Sequence, residues 1–398
     1  MKYSIFIIVI WLLLQVSYGW CESEMDLEPS LQGRNDIIFF EDFESSDWYT
    51  HWDNVDYQDR VHTVTYNSFK GNKCLRVFIP RGGHYGTGMG FYFRRHGLEE
   101  PEEIYFRYYI YAGPTFGGGG KLPGIAGTYG RAGWGGRRVN GSDGWSARMA
   151  FAESGKEGEI AIGYYVYHAD MMTDYGDTWI WGTIKKGEWH CIECYVKMND
   201  PKKKNGILRG WIDGKLVFEK TDIRFRDIPD LKIECIWFNV YYGGTEPAPR
   251  DMEVYFDNIV IARNYIGPWG SEKPIPSFMN QVNPENVTED TTILEWSKSP
   301  DPNFEKYEVL MAPSPNGPWK SIANVTITTY KVTGLSPNTT YYFKVRVWDK
   351  FGRYTDEETN VIQVITKPPF YLRPWFMITV ALFITLLVAL LLFRRKYF

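Results

Sequence analysis

The chain has 398 residues, of which 44 are Lys or Arg and 48 are Asp or Glu, giving a formal net charge of −4. That near balance argues against a dedicated nucleic-acid binder, which needs a basic face, and the length allows two ordinary domains with segments to spare. Aromatic residues make up 17%, with 28 Tyr and 16 Trp, a load suited to β-sheets and to the flat apolar faces of sugars.

The chain opens with "MKYSIFIIVIWLLLQVSYG", in which a lysine precedes an apolar run that ends in small residues. This predicts a secretory signal over residues 1–19, cut after Gly19. Residues 36–268 then lack any long segment of helical period. They carry short β-rich runs such as "IYFRYYIYA", "EIAIGYYVYH", "CIWFNVYYGG" and "MEVYFDNIVIA", separated by Gly, Asp-Gly and Pro. "WIDGKLVF" reads as an Asp-Gly hairpin. The expected fold is all-β, a concanavalin-like β-jelly-roll sandwich.

Within this region "FGGGGKLPG" places Lys121 after four glycines. A phosphate loop would need a hydroxyl residue after the lysine, and Leu122 stands there instead. The glycines read as clearance, for a bound polymer or for another strand. Downstream, alternation in "GWSARMAF" puts Ser146 and Arg148 on one face and Trp145, Ala147, Met149 and Phe151 on the other. In "EIAIGYYVYH", Ile160, Ile162, Tyr164 and Val166 form a core face, and Ala161, Gly163, Tyr165 and Tyr167 the opposite one. Convergence of the two polar faces would gather Ser146, Arg148, Tyr165 and Tyr167, with Lys121 at the rim. "IWFNVYYGG" sets Trp237, Asn239 and Tyr241 on a common face; Asn239 either donates to a ligand or satisfies the sheet. His84 lies in a glycine-rich turn and is a further candidate. His168 alternates away from Tyr167 and reads as a core or edge histidine.

Glycoside hydrolysis uses two carboxylates, and no such pair stands on these strands. Lysine, arginine and tyrosine suit β-elimination on a uronic acid instead. A cation must neutralise the carboxylate so that the C5 proton becomes acidic, a base must take that proton, and an acid must meet the leaving O4. Tyrosine serves when nearby cations lower its pKa.

At "GGKLPG", "GWSARMAF", "YVYH", "GEWHCIECYVKMNDPKKKNGILRGWIDG" and "YFDNIVIARNYIGP" the chain resembles polysaccharide lyase family 14, over most of residues 75–268. The resemblance implies a jelly-roll lyase acting on alginate or glucuronan. It implies Lys121, Ser146, Arg148, Tyr165 and Tyr167 as site residues, with the tyrosines as base and acid in an order left open. A lectin-like surface adhesion protein on the same fold is the alternative. The longer connection "ESGKEGE" and the arginine- and tryptophan-rich "GTYGRAGWGGRRVNGSDG" depart from the family pattern and bear on substrate choice.

After the proline-rich linker "GPWGSEKPIPS", residues 274–367 resemble a fibronectin type III domain. "TILEWS" supplies a buried-type Trp296, and "GLSPNTTYYFKVRVWDKFG" alternates through Tyr341, Phe343, Val345 and Val347. Its expected role is a spacer. Residues 374–393 carry an uncharged apolar run predicted as a single transmembrane helix, and the basic tail 394–398 is expected in the cytoplasm. The expectation is a single-pass type I protein of the cell membrane with its catalytic unit outside. Its partners are an acidic polysaccharide and, through the C-terminal helix, the membrane, with no nucleic acid. Cleavage by a surface-sorting enzyme is an alternative for the same tail. "HCIEC" lacks a second ligand pair, so no metal and no cofactor are expected. The five cysteines, Cys21, Cys74, Cys191, Cys194 and Cys235, are odd in number.

Overall fold

A computed structural model describes residues 28–31, 34–56, 59–271, 273–301, 303–350, 353–372 and 374–397. The expected signal segment and Cys21 lie outside the described residues. Apolar residues at every second position make strands throughout the N-terminal unit. In chain order these are β1 (Ile37–Glu41), β2 (Asp53–Asp56), β3 (Val61–Val64), β4 (Cys74–Ile79), β5 (Tyr85–Tyr92), β6 (Glu103–Ala112), β7 (Gly119–Gly127) and β8 (Trp145–Glu153). They continue as β9 (Glu159–Tyr167), β10 (Asp177–Lys185), β11 (Trp189–Lys197), β12 (Gly206–Ile212), β13 (Lys215–Ile223), β14 (Cys235–Tyr242) and β15 (Met252–Ala262).

Two antiparallel sheets face each other, one ordered β13-β12-β11-β6-β15-β4-β3 with β1 on β15, the other β10-β9-β8-β7-β14-β5-β2. Between them Phe106, Tyr108 and Ile110 share a core with Ala147, Met149, Phe151, Ile162, Tyr164 and Phe238. Each large side chain buried there contributes roughly 1.5–3 kcal/mol. The predicted hairpin joins β12 to β13, with Asp213 at φ 51° and Gly214 at φ 81°, the left-handed pair that this tight turn requires.

The C-terminal unit has β16 (Thr291–Glu295), β17 (Phe304–Ala312), β18 (Lys320–Val325), β19 (Thr329–Thr333), β20 (Thr340–Asp349) and β21 (Ile362–Ile365). They form the sheets β16-β19 and β18-β17-β20-β21. Buried Trp296 packs edge-on against Tyr307, ring centres 5.6 Å apart. The Tyr341 hydroxyl accepts from the Ser336 N–H at 2.9 Å, the tyrosine corner that the sequence pattern predicts. This unit does more than space. Trp211 Nε1 donates to the Glu358 carbonyl at 3.2 Å and the Leu216 N–H to the Glu357 carbonyl at 3.0 Å. Glu219 accepts from both Arg209 Nε (2.6 Å) and Asn360 Nδ2 (3.1 Å). The second unit therefore covers the outer face of β12 and β13, where apolar side chains would otherwise meet water.

A helix forms at Pro374–Tyr397, but side chains within it are described only over 376–392. Among the described residues no helix is long and apolar enough to cross a membrane, so the structure gives the expected transmembrane helix no support. Cys74, Cys191, Cys194 and Cys235 are buried free thiols. Cys194 points into the inter-sheet core and Cys191, three residues earlier on the same strand, does not, as alternation requires.

Candidate active site

Strand register assembles the site. On β8 and β9, Arg148 stands opposite Tyr165 and Ser146 opposite Tyr167. On β7, Lys121 pairs with Ala150 of β8 and with Tyr241 of β14. The small Ala150 leaves the lysine room. A bulge at Leu122/Gly124 breaks the β7–β8 ladder beside Pro123, which lacks an N–H to give it. Gly124 has no alternative, since a Cβ there would stand 2.4 Å from Arg148 Cα.

The glycines before Lys121 make room for the neighbouring strand, the second of their two readings, and not for a polymer. A Cβ on Gly120 would stand 2.1 Å from the Tyr241 carbonyl oxygen, and one on Gly118 2.7 Å from the Tyr242 ring. They bring β14 close to β7 and so place Trp237, Asn239 and Tyr241 beside the lysine.

The result is a cleft of about 680 Å³. Its lining includes Lys121, Arg148, Tyr165, Trp237, Asn239 and Tyr241 and, among the described residues, no Asp or Glu. Arg148 is 5% exposed, its Nη1 donates to Asn239 Oδ1 at 3.2 Å, and its guanidinium lies 4.2 Å from the centre of the Trp237 ring. Asn239 is occupied on both sides, because its Nδ2 donates to the Thr87 carbonyl at 3.0 Å. It therefore orients the arginine. Lys121 Nζ lies 4.4 Å from the Tyr165 ring centre and 5.5 Å from that of Tyr241. Burial, and then the charge of Arg148, lower the Lys121 pKa to about 8. Burial likewise lowers that of Arg148 to about 10. Two cations short of water and, among the described residues, without a carboxylate partner favour any anion that enters.

The Tyr-x-Tyr pair divides. Tyr165 lines the cleft, whereas Tyr167 is fully buried behind it, its hydroxyl 3.4 Å from that of Tyr165. Burial raises the Tyr167 pKa well above its ordinary value. Ser146 is also fully buried and donates to the Gly133 carbonyl at 2.7 Å; it anchors a loop and does not line the cleft. His84 stacks on Tyr241 with ring centres 5.7 Å apart, and its Nδ1 lies 3.1 Å from the Tyr242 carbonyl, so it backs the wall without lining it. His168, expected in the core or at an edge, is buried against Asp177.

Sequence reasoning missed Tyr85, Trp134 and Tyr175, which also line the cleft. Trp134 comes from the arginine- and tryptophan-rich stretch between β7 and β8. Tyr175 comes from a loop with no strand pattern to place it, and only an exposed tyrosine among polar residues marks it.

Several solved structures are similar to part of the chain. Alginate lyase Aly36B, solved with an alginate trisaccharide, is 21% identical over 57% of this chain and 98% of its own, with a TM-score of 0.47. Alginate lyase vAL-1 from Chlorella virus is 19% identical over 57% and 99%, with a TM-score of 0.46. The endo-β-1,4-glucuronan lyase of the fungus Trichoderma reesei is 16% identical over 57% and 95%, with a TM-score of 0.41. No curated protein matches the chain. The family model for polysaccharide lyase 14 matches residues 67–259, and that for the fibronectin type III domain matches residues 276–364. The chain thus carries a polysaccharide lyase domain of family 14, followed by a fibronectin type III domain.

Proposed function

We propose that the protein cleaves a uronate-containing polysaccharide by β-elimination. The observation that carries this reading is a cleft with two desolvated cations, Lys121 and Arg148, among tyrosines and without a carboxylate. The uronate carboxylate binds between Lys121 and Arg148, whose charge acidifies the C5 proton. Tyr165, as phenolate, takes that proton. The C5–H electron pair becomes the C4–C5 double bond as the C4–O4 bond breaks, and Tyr165 returns the proton to O4. One hydroxyl serves both transfers because Tyr167 has no access to the cleft. Tyr167 acts through Tyr165.

A second reading assigns the proton on O4 to Lys121, favoured by its pKa of about 8. Lys121→Arg separates the two, since it keeps the cation and loses an acid of that strength. The signal segment and the apolar C-terminal run support export and anchoring at the cell surface, which membrane fractionation of the tagged chain tests.

The purified protein is offered alginate, polyglucuronate and glycosaminoglycans while the absorbance of unsaturated uronate is followed. Turnover on at least one, abolished in Tyr165→Phe with binding retained, supports the lyase. Binding without any unsaturated product supports the lectin-like alternative and overturns it.

A further inference from the structure

The loop between β9 and β10 touches the proton-transfer group directly. The Gly176 N–H donates to the Tyr165 hydroxyl at 3.0 Å, and the Tyr167 hydroxyl lies 3.4 Å from the same oxygen. Tyr167 packs against Ala132, Val139 and Met171 and keeps its proton, because burial disfavours its ionised form. Its hydroxyl is thus available as a donor. A phenolate at Tyr165 would accept from both. Hydrogen bonds to a charged oxygen are about twice as strong as those to a neutral one, so the pair favours the ionised form over the phenol.

The loop is built to bring that amide in. A Cβ on Gly176 would stand 2.9 Å from the Val166 carbonyl oxygen and 3.0 Å from the Tyr167 ring, so only glycine lets the backbone approach this closely. The loop's two ends are clasped by His168 Nε2 and Asp177 Oδ2, 2.8 Å apart. Between them Thr173 Oγ1 donates to the Tyr175 carbonyl at 2.7 Å, and Arg138 Nη2 to the Met171 carbonyl at 2.7 Å. The other groups facing Tyr165 are Lys121 from β7, Arg148 from β8 and the uncharged Thr178 opposite it on β10.

We propose that the Gly176 N–H and the Tyr167 hydroxyl form an oxyanion cradle for Tyr165, and that His168 and Asp177 are positioning residues that hold the loop half of this cradle in place. The proposal rests on the reading of Tyr165 as the proton-transfer group. It adds why Tyr165, and not another cleft tyrosine, is the base.

Tyrosinate absorbance of the full chain is titrated against pH, with Tyr165→Phe as the difference reference, in wild type, Tyr167→Phe, His168→Ala and His168→Gln. The proposal expects Tyr167→Phe and His168→Ala each to move the Tyr165 ionisation upward by about one to two pH units. The acid limb of kcat/KM should move with it. His168→Gln, whose side-chain amide can still donate to Asp177, keeps most of the wild-type value. An ionisation of Tyr165 unmoved in both variants, even with a lowered melting temperature, overturns the proposal and leaves the residues merely structural. Should His168→Ala fail to fold, Asp177→Ala replaces it with the same criteria. The titration needs no turnover. Absent lyase activity with a shifted ionisation would sink the elimination reading alone, and the converse would sink the cradle alone.

Discussion

Lys121 Nζ lies 4.4 Å from the centre of the Tyr165 ring, and Arg148 faces the same tyrosine in register from the neighbouring strand. With no carboxylate lining the cleft, the two cations act on Tyr165 and on whatever anion enters. Their cost is desolvation, and their function follows from it, because charge in a site poor in water acts more strongly than at the surface.

The Lys121 ammonium is present below its pKa of about 8 and lost above it. If it binds the uronate carboxylate, kcat/KM falls as pH rises through that value. Stability runs the other way. The folded-state pKa lies below the unfolded value of ~10.4, so the unfolded chain binds more protons between them and stability rises with pH across that window. Lys121→Met should therefore melt above wild type at pH near 7, with the gap closing toward pH ~10. Pairing a pH–rate profile with melts at both pH values checks the two signs together.

Asn239 links Arg148 to the Thr87 carbonyl. Asn239→Ala leaves both groups buried without that partner and should cost about 1–3 kcal/mol of stability. It should also lower kcat/KM by about 10- to 100-fold as the guanidinium loses its orientation. Asn239→Asp keeps the shape but pairs the arginine internally and repels uronate, so turnover should fall further while stability falls less. Denaturant titration alongside steady-state kinetics distinguishes them.

Ser146 does not reach the cleft; its hydroxyl holds the Gly133 carbonyl, one residue from Trp134. Ser146→Ala should cost about 1 kcal/mol and raise KM through a loosened Trp134 wall, with kcat little changed. A fall in kcat at constant KM would mean that the serine acts on the reacting centre.

Glu219 joins the two units, accepting from Arg209 and from Asn360. Arg209 is 5% exposed and lies 4.1 Å from the Phe278 ring centre. Glu219→Ala strands that buried cation and should cost about 3–5 kcal/mol, read as a lowered denaturation midpoint. Catalysis should survive, because β13 and β14 belong to opposite sheets.

Much of this was legible beforehand, and the residues say why. In β8 and β9 the alternation of Met149 with Arg148 and of Tyr164 with Tyr165 separates core from cleft without any knowledge of the fold, because a strand sends neighbours to opposite faces. Trp296 and the alternation from Tyr341 to Val347 identified the second unit in the same way. Alternation gives a face but no depth. It could not tell that Tyr165 meets the cleft and Tyr167, two residues on, is sealed by Ala132 and Met171. Nor could it tell that Asn239 is consumed by its neighbours, or that the docked second unit covers the outer face of the first. Trp134 and Tyr175 come from loops, whose positions follow from packing and not from period.

The sequence by itself determined an all-β chain of two units and the chemistry of one polar face, lysine, arginine and tyrosine without paired carboxylates, since side-chain type and two-residue period are local properties. Only the tertiary structure decided which of those side chains share the cleft, which of two tyrosines is open to it, and which backbone amide meets its oxygen. Those outcomes depend on strand register and loop closure, which join residues far apart in the chain and are settled by packing the whole molecule at once.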